Sequence, residues 1–217
     1  KYYEESENGP LLEDFIEEKF KELISYINRE KRIESAAMTK GISFNDLIDD
    51  IIKGKQVPVA EKKYRGTITQ GYYIGPDFFK KFIVDDFVNY YKDAINQYFV
   101  EGVIETKYGN ARLYGYIDEL LPFKCCDIKT TSQYSVGKFF YNNQHLVYPF
   151  CLRQMGNNIS EFEYNVTDFR KIYTETYMYN EESENVLRSR VESFISFLLD
   201  NRLSITNGKV FNLPSNA

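Results

Sequence analysis

Between Phe99 and Thr131 the apolar residues change from helical spacing to a period of two, and that change limits the folds open to this chain. Phe99–Tyr108, Ala111–Leu121 and Phe123–Thr131 read as three consecutive strands, with Tyr108-Gly109-Asn110 as a tight turn between the first two. Short connections make such strands neighbours, so an antiparallel meander is expected. Helical patterns lie on both sides of it. Leu12, Ile16, Phe20, Leu23 and Ile27 repeat at helical spacing after Pro10, which predicts an amphipathic surface helix. Ser43 followed by Asp46 resembles a capping box and predicts a short second helix, with Phe44, Leu47, Ile48, Ile51 and Ile52 on one face and Gly54 at its end.

Residues 55–75 read as loop or hairpin. A long helix is expected over 76–97, where Phe79, Phe82, Ile83, Phe87 and Tyr90 share a face. Asp86 falls within that apolar stripe and would need a partner or a metal, whereas Asp85 points away. After the meander, a helix is expected over 135–155, then strands over 161–166 and 171–179, then a last helix over 184–199. The whole chain, 1–217, is read as a single mixed α/β domain: a helical N-terminal extension (1–55), a core (76–180), and a C-terminal helix and tail (181–217).

Composition narrows the chemistry. One His, three Cys and no Trp leave too few ligands for a multi-histidine or four-cysteine metal site, so any metal must be held mainly by oxygen. Cys125, Cys126 and Cys151 form no CxxC, and adjacent cysteines rarely bridge each other, which favours a reducing, cytoplasmic setting. No apolar run approaches the ~20 residues of a membrane span, and Lys1 is not followed by a secretory signal pattern. The net charge of -5 looks wrong for a partner of nucleic acid. It is unevenly spread, however: residues 1–50 carry 7 basic against 13 acidic side chains, and residues 51–180 carry 16 against 14.

The chemistry-bearing segments are Tyr114-Gly115-Tyr116-Ile117-Asp118, Cys126-Asp127-Ile128-Lys129-Thr130-Thr131, and Gln144-His145-Leu146-Val147-Tyr148. Strand alternation puts Asp127 and Lys129 on one face. Asp118 sits late on the preceding strand, so two carboxylates and one ammonium can converge at a hairpin. Mg²⁺ suits such a place, because it takes one or two carboxylates with waters and a substrate phosphate, and no histidine. Gln144 and Tyr148 are one helical turn apart, and Pro149 just after them should kink the helix.

Asp, then Asp-x-Lys-Thr, then Gln-x-x-x-Tyr resembles the PD-(D/E)XK nuclease superfamily, in particular its RecB-type and phage-exonuclease branch. The resemblance covers about residues 76–180. It implies a restriction-endonuclease-like core, a mixed central sheet with an antiparallel meander flanked by helices. It further implies a Mg²⁺- or Mn²⁺-dependent DNA nuclease, with exonuclease action favoured, in which Asp118 and Asp127 hold the metal. Lys129 would orient or activate water, and Gln144 and Tyr148 would form the helical motif. The family often has a further acid or His on a helix before the meander. Here Asp86, Glu101 and Glu105 are the candidates, and Gln70 stands at a tempting position. DNA is the expected partner, together with a second copy of the chain or a recombination or repair protein. A binding or scaffold domain that keeps the fold without catalysis is the reading from another class. Tyr72, Tyr73 and Tyr134 are candidates for stacking on bases.

Overall fold

A computed structural model describes residues 9–31 and 34–211. They fall into two compact units, one of residues 34–192 and one of residues 9–31 with 193–211. In the smaller unit, α1 (Gly9–Ile27) is closed by Asn28, whose side chain donates to the carbonyl of Ser204 and accepts from the backbone N–H of Thr206. Phe20 meets Phe197 edge-on at 6.0 Å.

The larger unit opens with α2 (Ala36–Ile52). This helix starts eight residues before the expected capping box, because Ser35 is the N-cap and accepts from the N–H of Met38. Its buried face of Phe44, Leu47 and Ile48 packs on the larger unit rather than forming part of a separate extension. Next come β1 (Ala60–Tyr64), β2 (Thr67–Ile74) and β3 (Asp77–Lys80), an antiparallel three-stranded sheet.

The long helix expected over 76–97 is α3 (Lys81–Tyr91), eleven residues only. Gly75, with φ of 55°, and Pro76 form a turn that returns β3 along β2, so Phe79 pairs with Tyr72 in a strand. Ile95 already belongs to β4. The apolar run had merged strand, helix and strand. β4 (Ile95–Thr106), β5 (Gly109–Leu120), β6 (Lys124–Thr130), β7 (Glu161–Thr167) and β8 (Ile172–Met178) make a mixed five-stranded sheet in chain order. All neighbours are antiparallel except β6 and β7, which are parallel from Lys124↔Glu161 to Thr130↔Thr167. Parallel neighbours need a crossover, and α4 (Gln144–Gln154) supplies it. α4 is shorter than the expected 135–155 helix, because Gly137 has φ of 75° and residues 136–141 turn instead. It runs unbroken through Pro149. α5 (Glu181–Asp200) follows β8 and is divided between the two units after Glu192.

The five-stranded sheet is covered on both faces. Val100, Ile117, Cys125, Phe162 and Tyr164 meet Leu146, Phe150 and Leu152 of α4 on one face. Cys126 and Ile128 point the other way, toward Phe44 of α2 and Phe87 of α3. Phe44 touches the rings of Phe79 and Phe87 at 5.3 and 5.4 Å, a cluster whose truncation would cost about 3–5 kcal/mol. The three cysteines are free and buried. No helix among the described residues is long and apolar enough to cross a membrane.

Candidate active site

The site begins where β5 and β6 stop pairing. Their antiparallel ladder consists of Glu119↔Cys126 and Leu120↔Cys125 only. One step further, the N–H of Ile128 is left without a β5 carbonyl and donates to Oδ2 of Asp118 at 3.3 Å. Gln97, opposite Asp118 on β4 and in the left-handed region with φ of 52°, places its amide 3.4 Å from Oδ1. The sheet faces exchange at this point. Ile117 and Tyr98 pack on the α4 side, whereas Asn96 turns to α2 and donates to Asp49 at 3.0 Å.

Asp127 is anchored differently. Its backbone lies in the parallel ladder opposite Tyr164, and its side chain is buried under α4. Lys129, two residues along the same face, holds its Nζ 2.6 Å from Asp127 Oδ2 and 5.9 Å over the Tyr164 ring. From the first turn of α4, the Gln144 amide donates to Asp127 Oδ1 and lies 3.5 Å from the Tyr148 hydroxyl. Tyr148 can sit there because Gly115 of β5 has no side chain. The five residues Asp118, Asp127, Lys129, Gln144 and Tyr148 are thus brought together from β5, β6 and α4.

Burial raises the Asp127 carboxyl above its usual range; the Lys129 ammonium opposes this and the Asp118 charge adds to it. Asp118 shifts upward for the same first reason, again against Lys129. Two like-charged oxygens in a poorly solvated cleft need a cation to ionise fully, and one ammonium is present for two carboxylates. Asp127 Oδ2 is buried and accepts no well-directed hydrogen bond, its ionic contact with Lys129 apart. A free lone pair on a hard oxygen beside a second carboxylate fits Mg²⁺ or Mn²⁺, with water completing the shell.

The candidates for a third acid are elsewhere. Asp86 is exposed on α3, and Asp85, expected to be the solvated one, is the residue bonded to Lys81. A three-turn helix rotates its apolar stripe differently from the long helix that the sequence suggested. Glu101 pairs with Arg112 on the outer face of β4, and Glu105 is exposed. Gln70 lies on β2, away in the smaller sheet. Among the described residues, no three His, Cys, Asp or Glu side chains form a metal-binding group.

His145, expected on the helix surface, is buried, stacking on Tyr177 at 4.3 Å with Nδ1 3.4 Å from the Tyr164 hydroxyl. Tyr72 is buried and Tyr134 stacks on Tyr173 at 4.2 Å, so neither is free to receive a base.

Sequence reasoning missed a polar group beside Asp118. Asn96 donates to Glu119 at 2.9 Å as well as to Asp49. Glu119 is fully buried and pushed up to about 8 by burial and by the Asp49 charge, against the bond from Asn96. Its position next to Asp118 was the available signal, hidden because a regular strand would have sent it to the same side as Ile117.

No protein-family model matches the chain, and no curated protein matches it. Among solved structures, SSO0001 is 11% identical, with 52% of this chain and 55% of that chain aligned and a TM-score of 0.39. This chain therefore spans about half the length of SSO0001. A "Putative exonuclease" from Eubacterium rectale is 10% identical, with 89% and 81% aligned and a TM-score of 0.49.

Proposed function

We propose that this chain is a divalent-metal-dependent DNA nuclease with a PD-(D/E)XK-type centre, acting as an exonuclease. The observation that carries the reading is the convergence on Asp127 of Lys129 from its own strand and Gln144 from α4, beside the carboxylate of Asp118. Asp118, Asp127 and the backbone carbonyl of Ile128 would hold Mg²⁺ or Mn²⁺. When bound, such an ion polarises a phosphodiester oxygen and lowers the pKa of water. Lys129 would stand beside the phosphate, stabilising negative charge as it builds and orienting the attacking water. Gln144 fixes the Asp127 carboxylate, and Tyr148 packs behind Gln144. Burial pushes the Tyr148 phenol up to about 12, so it serves as a neutral hydroxyl and not as a base.

The test is incubation of end-labelled linear DNA with the protein and Mg²⁺ or Mn²⁺, with a chelator control. Shortening of the labelled strand that the chelator stops is expected, with a loss of at least about a hundredfold in Asp127→Ala and Lys129→Ala. Full activity in either variant would sink the mechanism.

A further inference from the structure

From Ile128 through Ser160 the chain contains no Asp or Glu, although it holds 32 of them in 217 residues. This acid-free stretch begins on the catalytic strand, crosses over through residues 131–143 and ends after α4. Besides Lys129, its only lysine is Lys138. Lys138 is exposed and follows Gly137, whose φ of 75° turns the crossover back on the end of β6. There its Nζ donates to the Thr131 hydroxyl at 2.5 Å and to the carbonyl of Gln133 at 2.7 Å. Both partners are neutral, and among the described residues Lys138 has no carboxylate partner. An ammonium has three donors, so one N–H and the whole positive charge are left for an anion.

The N–H of Thr131 donates to the carbonyl of Thr167 at 2.9 Å, so the extended course of β6 continues through it. Alternation then carries Asp127, Lys129 and Thr131 to the same face of the sheet, the one under α4, with Asp127 and Thr131 about 13 Å apart. Lys129 Nζ sits at the first and Lys138 Nζ at the second, so two ammonium groups follow one strand out of the cleft. They are too far apart to share one small anion. The acids bordering this line are occupied. Asp168 accepts the N–H groups of Arg170 and Lys171 at 2.8 Å, and Glu175 is buried with the Tyr177 hydroxyl on its carboxylate at 2.7 Å. Arg170 and Lys171 are themselves exposed on the turn after β7, whereas Lys40, on the α2 side, lies 3.7 Å from Asp77. Positive charge thus runs from Lys129 outward in a chain whose net charge is -5.

We propose that Lys138 binds a backbone phosphate of the DNA strand being cut, one or two linkages beyond the scissile bond. The assignment rests on the nuclease reading for the position of the strand, and on the crossover geometry alone for the anion. Lys129 meets the phosphate at the cut, and Lys138, held on Thr131, fixes the course of the same strand past the end of β6. The contact is to phosphate, so it positions the strand and carries no base preference.

The test measures binding and cleavage separately. Fluorescence anisotropy at a fixed low concentration of Ca²⁺ and rising KCl would follow a labelled duplex with a short single-stranded end. Lys138→Gln should weaken binding about three- to tenfold at low salt and flatten the slope of log K against log[KCl] by up to about one unit, and Lys138→Arg should restore both. Lys107→Gln removes the same charge at the β4–β5 turn, where Lys107 lies 3.8 Å from Glu192, and should do neither. Neutral methylphosphonate linkages would then be placed one at a time along the strand. At one position, one or two linkages from the bond cut, wild type and Lys138→Gln should bind equally, and elsewhere the difference should persist. Wild-type binding by Lys138→Gln, a loss that no methylphosphonate position removes, a loss equalled by Lys107→Gln, or no binding by wild type would overturn the proposal. Lys138-dependent binding without cleavage in Mg²⁺ or Mn²⁺ would remove the nuclease reading and leave the phosphate contact standing, and cleavage with Lys138-independent binding would do the reverse.

Discussion

A β-carbon on Gly115 would lie 2.8 Å from Cε1 of Tyr148, closer than side chains approach. The bare backbone of β5 is thus the seat of the Tyr148 ring. Gly115→Ala should cost about 1–3 kcal/mol in urea denaturation, since the half-buried ring has to move. In a Tyr148→Ala background the same change should cost clearly less, because the obstructing atoms are gone. Equal costs in the two backgrounds would refute the contact.

Among the described residues, Gln144 is the one side chain outside β6 that donates to Asp127. Gln144→Leu should leave the thermal midpoint within a few degrees and lower metal-dependent cleavage about 10–100-fold, the usual effect of losing a partner that orients a ligand. The concentration of Mn²⁺ giving half-maximal cleavage should rise as well. A fall in rate with no change in metal dependence would place Gln144 on the substrate instead.

His145 gives a pH signature. Burial lowers its imidazole from 6.5 to about 4, with the Arg190 charge acting in the same direction. Between those values the unfolded chain binds the proton more readily, so stability owed to the neutral ring is complete above pH 6.5 and lost as pH falls toward 4. His145→Phe keeps an aromatic ring against Tyr177 and removes the titration. Denaturation midpoints from pH 4 to 7 should therefore be flatter for the variant than for wild type, and parallel curves would contradict the assignment.

Asn96 donates to two carboxyl groups through one nitrogen. Asn96→Leu should destabilise the fold by about 1–3 kcal/mol, because Glu119 keeps its burial and loses this donor, whereas Asp49 still has Lys53. Restoration by Glu119→Leu in the same chain would show that the loss comes from the unpaired acid and not from packing.

The meander and the residues on it were readable because alternation, turn chemistry and an Asp-x-Lys pair all act over a few neighbours. Asp118, Asp127 and Lys129 come together as strand alternation suggests, and Gln144 and Tyr148, expected there only from the resemblance, join them from α4. Cys125 and Cys126 face opposite cores, as adjacent strand residues must. What could not be read depends on non-local choices. Phe78, Phe79, Phe82 and Ile83 satisfy a helix and a strand equally well, and only pairing with β2 decides where β3 ends and α3 begins. That boundary set the rotation of α3 and hence the fate of Asp86. Likewise His145 looks like a polar helix residue until Tyr177 and Tyr164 cover it.

The two-pair contact between β5 and β6 makes this site a product of arrested zippering. Asp118 occupies the hydrogen-bonding position that a continued ladder would have filled, so each further pair formed between these strands would expel a carboxylate. Strand-promoting changes near Ile117 and Ile128, stabilising by every local rule, should therefore close the cleft. In this chain the weakest-paired stretch of the sheet is the part that makes chemistry possible.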